Sequence, residues 1–186
     1  MPLVVALKSD LLIAPFLKVA CIERGMAATI SPTIAPDDIV IISPDAYYNS
    51  AVGHARHAKA DGNPPKSPDC LVVVRCHDGT FSTFIVEPRD ISNQRGFTVA
   101  EIQAKFNTCL HDFMEGVLGG HFNQPDYALN KVRLLFVSDP YGGQTQRKQY
   151  ERSPKLDLLL TLPPFRFDGR RLGIEHHPTD PLIRPC

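Results

Sequence analysis

Residues 70–76 (CLVVVRC) form a β-branched run, 77–79 (HDG) carry the chemistry of a tight turn, and 80–87 (TFSTFIVE) alternate as a strand does. Two such runs joined by so short a turn reach each other by doubling back, which predicts an antiparallel β-hairpin. Thr98 and Glu101 then form a capping box. Beyond them Val99, Ile102, Phe106, Cys109, Leu110, Phe113, Met114 and Val117 recur at helical spacing until Gly119-Gly120, where the helix is predicted to stop. A buried run at 132–137 (VRLLFV) follows, giving the order strand, strand, helix, strand, with the helix able to cross over between strands.

The chain as a whole holds 17 prolines, which cut its remaining parts into short elements. Residues 10–24 are predicted as an apolar helix interrupted at Pro15, and 39–42 (IVII) as a short buried strand. A polar helix is expected from about Asp45 to Lys59. An apolar run at 158–162 and a hairpin around Asp168-Gly169 complete the pattern. A chain of 186 residues with 43% apolar residues can close one substantial core, and no linker divides it, so one domain spanning 1–186 is expected. The fold class is α/β, with a central mixed sheet flanked by helices.

Lys and Arg together number 20, as do Asp and Glu, so contact with a nucleic acid must rest on a local basic face. No run approaches the roughly 20 apolar residues of a membrane span, and a soluble, cytoplasmic protein is expected. The five cysteines (Cys21, Cys70, Cys76, Cys109, Cys186) contain no CxxC and form an odd set, which predicts reduced core thiols. His54 and His57, with Cys76-His77, have zinc-like spacing but lack a second well-spaced pair. GxxxxGK[ST], GxGxxG and GxSxG are all missing, which argues against nucleotide-hydrolase, dinucleotide and α/β-hydrolase functions.

Along the second hairpin strand the period of two sets Phe81, Thr83, Ile85, Glu87 and Arg89 on one face. Asp69 opens the preceding strand, and antiparallel pairing brings it beside Glu87 and Arg89. Two carboxylates and a cation at one sheet edge suit Mg²⁺, which keeps several waters and accepts one or two carboxylates together with a substrate phosphate. Pro68-Asp69 followed by Glu87-Pro88-Arg89 resembles the motif of the PD-(D/E)XK nucleases, a superfamily that includes many type II restriction endonucleases. In that family the motif lies on a β-hairpin followed by a helix and another strand, the order read here.

The resemblance implies a restriction-endonuclease-like core. It also implies Mg²⁺ held by Asp69, Glu87 and the backbone carbonyl of Pro88, with Arg89 in the place of the family's catalytic lysine. Arginine stays charged and is a poor base, so this exchange alters the chemistry. An acid earlier in the chain often completes such sites, and Glu23, on the predicted first helix, is the candidate. Lys105 is the lysine available from the following helix. The plainer alternative has Asp69 capping a turn and Glu87 pairing with Arg89 or Arg75 on a solvated strand face. Between 139 and 152 (DPYGGQTQRKQYER), Gln144, Gln146, Arg147, Lys148 and Arg152 are the predicted DNA-binding residues, because such side chains bond phosphates and base edges. His54, Arg56, His57 and Lys59, or Arg166, Arg170 and Arg171, are further basic clusters, each equally readable as surface. Tyr47-Tyr48 are expected to pack rather than to stack on a base. The implied activity is Mg²⁺-dependent DNA cleavage by a homodimer acting on double-stranded DNA. The alternative is a nuclease-like fold that binds DNA or a protein without cutting.

Overall fold

The computed structural model describes residues 2–23, 25–58, 61–89, 97–138, 154–178, 180–184 and 186. Its centre is a six-stranded mixed sheet. The strands are β1 (Leu17–Lys18), β4 (Ile39–Ile42), β5 (Cys70–Arg75), β6 (Phe81–Arg89), β7 (Leu129–Ser138) and β10 (Ile174–His177), in that spatial order. From β1 to β6 neighbours are antiparallel, whereas β6, β7 and β10 run parallel. The expected hairpin is β5–β6, and Gly79 supplies the left-handed residue of its turn, with φ of 83°.

The crossover from β6 to β7 contains the expected helix. It starts as α4 (Val99–Asn107), with the Thr98 hydroxyl accepting from the Glu101 N–H at 3.1 Å. A wider π-helical stretch over Thr108–Val117 continues it. The helix does not end at the glycines: Gly119–Phe122 form one more helical segment, α5. Along α4 and the π-helical stretch Ile102, Phe106, Cys109, Leu110, Phe113 and Met114 are all buried, as their periodicity requires.

The remaining helices are α1 (Leu3–Ser9), α2 (Pro44–Tyr48), α3 (Ala51–His57) and α6 (Pro154–Leu160). The helix predicted at 10–24 is not formed. Pro15 sits in a single 3₁₀ turn at Ala14–Phe16, and the chain passes into β1 and then β2 (Cys21–Glu23). The helix expected from Asp45 is split at Asn49-Ser50. Ser43 caps the first piece and Ser50 the second, each serine accepting a backbone N–H. The pieces pack so tightly that a Cβ on Gly53 would lie 2.1 Å from the Tyr47 carbonyl oxygen. Tyr47 and Tyr48 are fully buried and make ring contacts with Phe113, which agrees with packing.

Two apolar layers sandwich the sheet. Leu71, Val73, Phe81, Ile85, Leu134 and Phe136 face the helices, whereas Val72, Val74, Phe84, Val86, Leu135 and Val137 face the other way. A small sheet of β2, β3 (Met26–Ile30) and β11 (Leu182–Ile183) supplies Cys21, Ala28 and Ile183 to that second layer. The expected late hairpin is present as β8 (Phe165–Phe167) and β9 (Arg170–Leu172), turning through Asp168 and Gly169 at positive φ. Arg170 is tied to the carbonyls of Leu129 and Asn130.

The expectation of reduced cysteines is overturned. Cys21–Cys70 and Cys76–Cys186 are disulfides, with Cα separations of 6.0 and 5.3 Å. The bonded residues lie 49 and 110 positions apart, so only the tertiary fold brings them within bonding reach. Cys109 alone is a free thiol, and burial pushes its pKa up. No helix among the described residues is long and apolar enough to cross a membrane.

Candidate active site

Adjacent strand ends build the site. β5 begins with Cys70 opposite Val86 of β6, so one further step of that register sets Asp69 opposite Glu87. Directly opposed residues of an antiparallel pair have Cβ atoms about 5 Å apart. Both carboxylates share the parity of Leu71 and Ile85 and therefore lie on the helix-facing side. Pro88, between Glu87 and Arg89, has the opposite parity.

Glu87 is fully buried. Its Oε1 accepts from Lys105 Nζ at 2.8 Å and from Arg89 Nε at 2.6 Å. Arg89 Nη2 also donates to Glu101 Oε1 at 3.0 Å. Glu101 and Lys105 are four residues apart on α4, a spacing that sets both on the face lying over the end of β6. Glu101 thus offers its backbone N–H to the Thr98 cap while its carboxylate goes to Arg89. Arg75, the other candidate partner of Glu87, instead pairs with Asp38 at 2.8 Å.

Two cations do not fully compensate for the burial. Among the described residues Glu87 Oε2 has no hydrogen-bond partner, and an unmade bond to a buried charged group is costly. Burial, reinforced by the charge on Asp69, pushes Glu87 up to about 7 even though Lys105 and Arg89 oppose the shift. Asp69 is raised as well, mainly by burial, with Glu23 and Asp45 adding to the effect and Lys105 and Arg89 opposing it.

A cleft of about 620 Å³ opens over this edge. Asp69, Arg89, Glu101 and Lys105 line it, as do Glu23, Asp45, Asp61, Lys66 and Ser67. The accessory acid Glu23 therefore reaches the cleft, although from strand β2 rather than from a helix. Gln144, Gln146, Arg147, Lys148 and Arg152 lie outside the described residues, as does Lys59. Of the zinc-like set, Cys76 is consumed by a disulfide and His57 Nε2 lies 3.3 Å from the Tyr47 hydroxyl. Asp45 and the Glu101 carboxylate are the site residues that sequence reasoning missed. For Glu101 the signal was present, because its i, i+4 spacing to Lys105 puts a second charge on the same helix face.

Among the described residues no three His, Cys, Asp or Glu side chains are grouped to hold a metal ion. A cation here would rest on Asp69 and Glu87, with backbone and water oxygens completing its shell. That donor set fits Mg²⁺, which needs only one or two carboxylates, and the unpartnered Glu87 Oε2 is a ready ligand atom. No protein-family model, curated protein or solved structure matches the chain.

Proposed function

We propose that this chain is a Mg²⁺-dependent endonuclease of the PD-(D/E)XK kind, with a restriction-endonuclease-like core, cutting double-stranded DNA as a homodimer. The observation that carries the reading is the buried Glu87, opposed to Asp69 and bonded by a lysine from the crossover helix. Asp69 and Glu87 would hold the metal, aided by the carbonyl of Pro88. When bound, Mg²⁺ would acidify a water and offset the charge that develops on the phosphodiester. Lys105 would fill the part of the motif lysine: a compact ammonium, 2.8 Å from Glu87 Oε1, placed to orient the attacking water. Arg89 already engages Glu87 and Glu101, so it positions Glu87 and lends positive charge to the phosphate's side of the cleft.

Glu87 must be ionised to serve as a ligand, so metal affinity should rise as pH passes through about 7. The predicted DNA-contacting residues in 139–152 remain part of this proposal, as does the dimer. Of the two possible settings, an oxidising compartment suits the pair of disulfides better than the cytoplasm does.

The test is cleavage of plasmid DNA with Mg²⁺. Asp69→Ala, Glu87→Ala and Lys105→Met should each lose about 10²-fold or more, on the scale of a lost proton-transfer or charge-stabilising group. Equal cleavage by all four proteins would sink the assignment. A second reading, binding without cutting, draws on the two cations that already bond Glu87. It predicts salt-sensitive DNA retention by a chain that cleaves under no metal condition.

A further inference from the structure

On the face of the main sheet away from the helices, the β6–β7 register sets Ser82 opposite Lys131 and Phe84 opposite Arg133. Phe84 belongs to the second apolar layer, and residues paired across neighbouring strands share a face. All four side chains therefore lie on the side opposite Glu87 and the cleft. Leu182, Arg184 and Cys186 reach the same place from β11, an edge of the small sheet, and from the chain beyond it. Together these residues line a pocket of about 330 Å³, within the roughly 300–1,000 Å³ usual for small-molecule sites.

The charge of this pocket is unbalanced. Arg133 donates to both carboxylate oxygens of Glu175, Nε to Oε1 at 2.8 Å, and its guanidinium carbon stands 6.0 Å from the centre of the Phe84 ring. The Arg133 bonds hold the Glu175 carboxyl below its usual range, with Lys131 adding a lesser pull. Lys131 and Arg184 make no ion pair among the described residues, so two positive charges remain once Arg133 is matched. Ser82 is 1% exposed, and the described partners of its hydroxyl are the disulfide sulfurs, Cys186 Sγ at 2.9 Å and Cys76 Sγ at 3.6 Å. Divalent sulfur accepts weakly, so a buried O–H donor is left largely unused on the pocket wall.

We propose that this pocket binds a small organic phosphate monoester, with Lys131, Arg184 and the Ser82 hydroxyl on the phosphate and Phe84 and Leu182 against its organic group. A phosphate monoester carries a charge of about −1.5 to −2 at pH 7, which answers the two unmatched cations. A carboxylate would answer only one. The planar guanidinium of Arg184 can offer paired N–H donors to two phosphate oxygens, and the Lys131 ammonium adds a point charge. Bound ester would join β7 to the segment after β11 and so stabilise the fold by linkage. The inference is independent of the nuclease reading, because it uses no residue of the cleft and its test measures no cleavage.

Phenyl phosphate is the probe, titrated calorimetrically into the full, disulfide-bonded chain without divalent metal. One saturable site per chain and a rise in Tm are expected. Inorganic phosphate, which leaves Phe84 and Leu182 uncovered, should bind several-fold more weakly. Lys131→Ala and Arg184→Ala should each weaken phenyl phosphate about tenfold or more, the scale of a lost hydrogen bond to a charged group, and Ser82→Ala a few-fold. Both cations are exposed, so their variants keep the fold. No saturable binding to the wild type, or wild-type affinity in the Lys131→Ala, Arg184→Ala double variant, overturns the inference. Loss of binding on Lys66→Ala would place the ester in the cleft and overturn it too. So would displacement of phenyl phosphate by unphosphorylated duplex DNA, which would make the pocket a contact for a nucleic-acid backbone.

Discussion

The β5–β6 hairpin has carboxylates at both ends, and they live in opposite conditions. At the turn, exposed Asp78 accepts from the Thr80 N–H at 3.0 Å and from the Thr80 hydroxyl at 2.6 Å, and those bonds hold its carboxyl below the usual range. At the open end, burial drives Glu87 and Asp69 upward, and one Glu87 oxygen has no partner among the described residues. Asp78 makes the local hydrogen bonds that close a tight turn. Glu87 also bonds a residue two positions along, Arg89, but it is fully buried and closes no turn. The same residue chemistry thus closes a turn at one end of the hairpin and sits in a costly buried arrangement at the other.

The harshest way to break this contrast is Lys105→Met, which leaves buried Glu87 with Arg89 alone. Removing one partner of a buried pair typically costs about 3–5 kcal/mol, so urea unfolding should show a loss of that order at pH 8, shrinking towards pH 5 as Glu87 takes up a proton. Next in size is the Cys21→Ser, Cys70→Ser double variant. The bond it removes joins the strand of Glu23 to the residue following Asp69. Thermal unfolding should register about 2–4 kcal/mol, and metal affinity should fall with it as the two acids separate.

A smaller effect is the pH dependence of Glu87 itself. Its folded pKa lies above the unfolded value of 4.5, so between about 4.5 and 7 the folded state binds more protons. This group's contribution to stability therefore falls as pH rises through that window and levels off above it. Glu87→Gln should flatten that slope, and Asp69→Asn should lower the Glu87 midpoint seen by carboxyl ¹³C NMR, because the Asp69 charge is part of the upward shift. An unchanged midpoint would mean that the two carboxylates do not feel each other. The smallest effect is expected at the other end of the hairpin: Asp78→Asn should leave Mn²⁺ affinity untouched, and a change there would dissolve the contrast.

Periodicity carried the sequence reading for α4, which buries one face, whereas β5, β6 and β7 are buried on both faces and were legible as apolar, β-branched runs bounded by turn residues. Once the hairpin was read, antiparallel pairing alone made Asp69 and Glu87 neighbours. Residues 10–24 misled because their apolar side chains are divided among a 3₁₀ turn, β1 and β2 rather than set along one stripe. Asp45 was hidden for a different reason. Its place in the same cleft as Asp69 depends on β4 pairing with β5, a contact that no spacing within either segment reveals. Lys105 stood in sequence as an available helix lysine, but choosing it over Arg89 required knowing which way the crossover helix turns its polar face.

The loops that build this molecule also set an order of assembly. Glu87 and Lys105 are 18 residues apart, and Asp69 closes onto Glu87 through the hairpin turn. The Cys76–Cys186 bond spans 110 residues. Short loops close at lower entropic cost and sooner than long ones. During synthesis the acidic cleft can therefore take shape before β10 and β11 have left the ribosome, so a nascent chain would gather its buried charges early and acquire its long-range staple last.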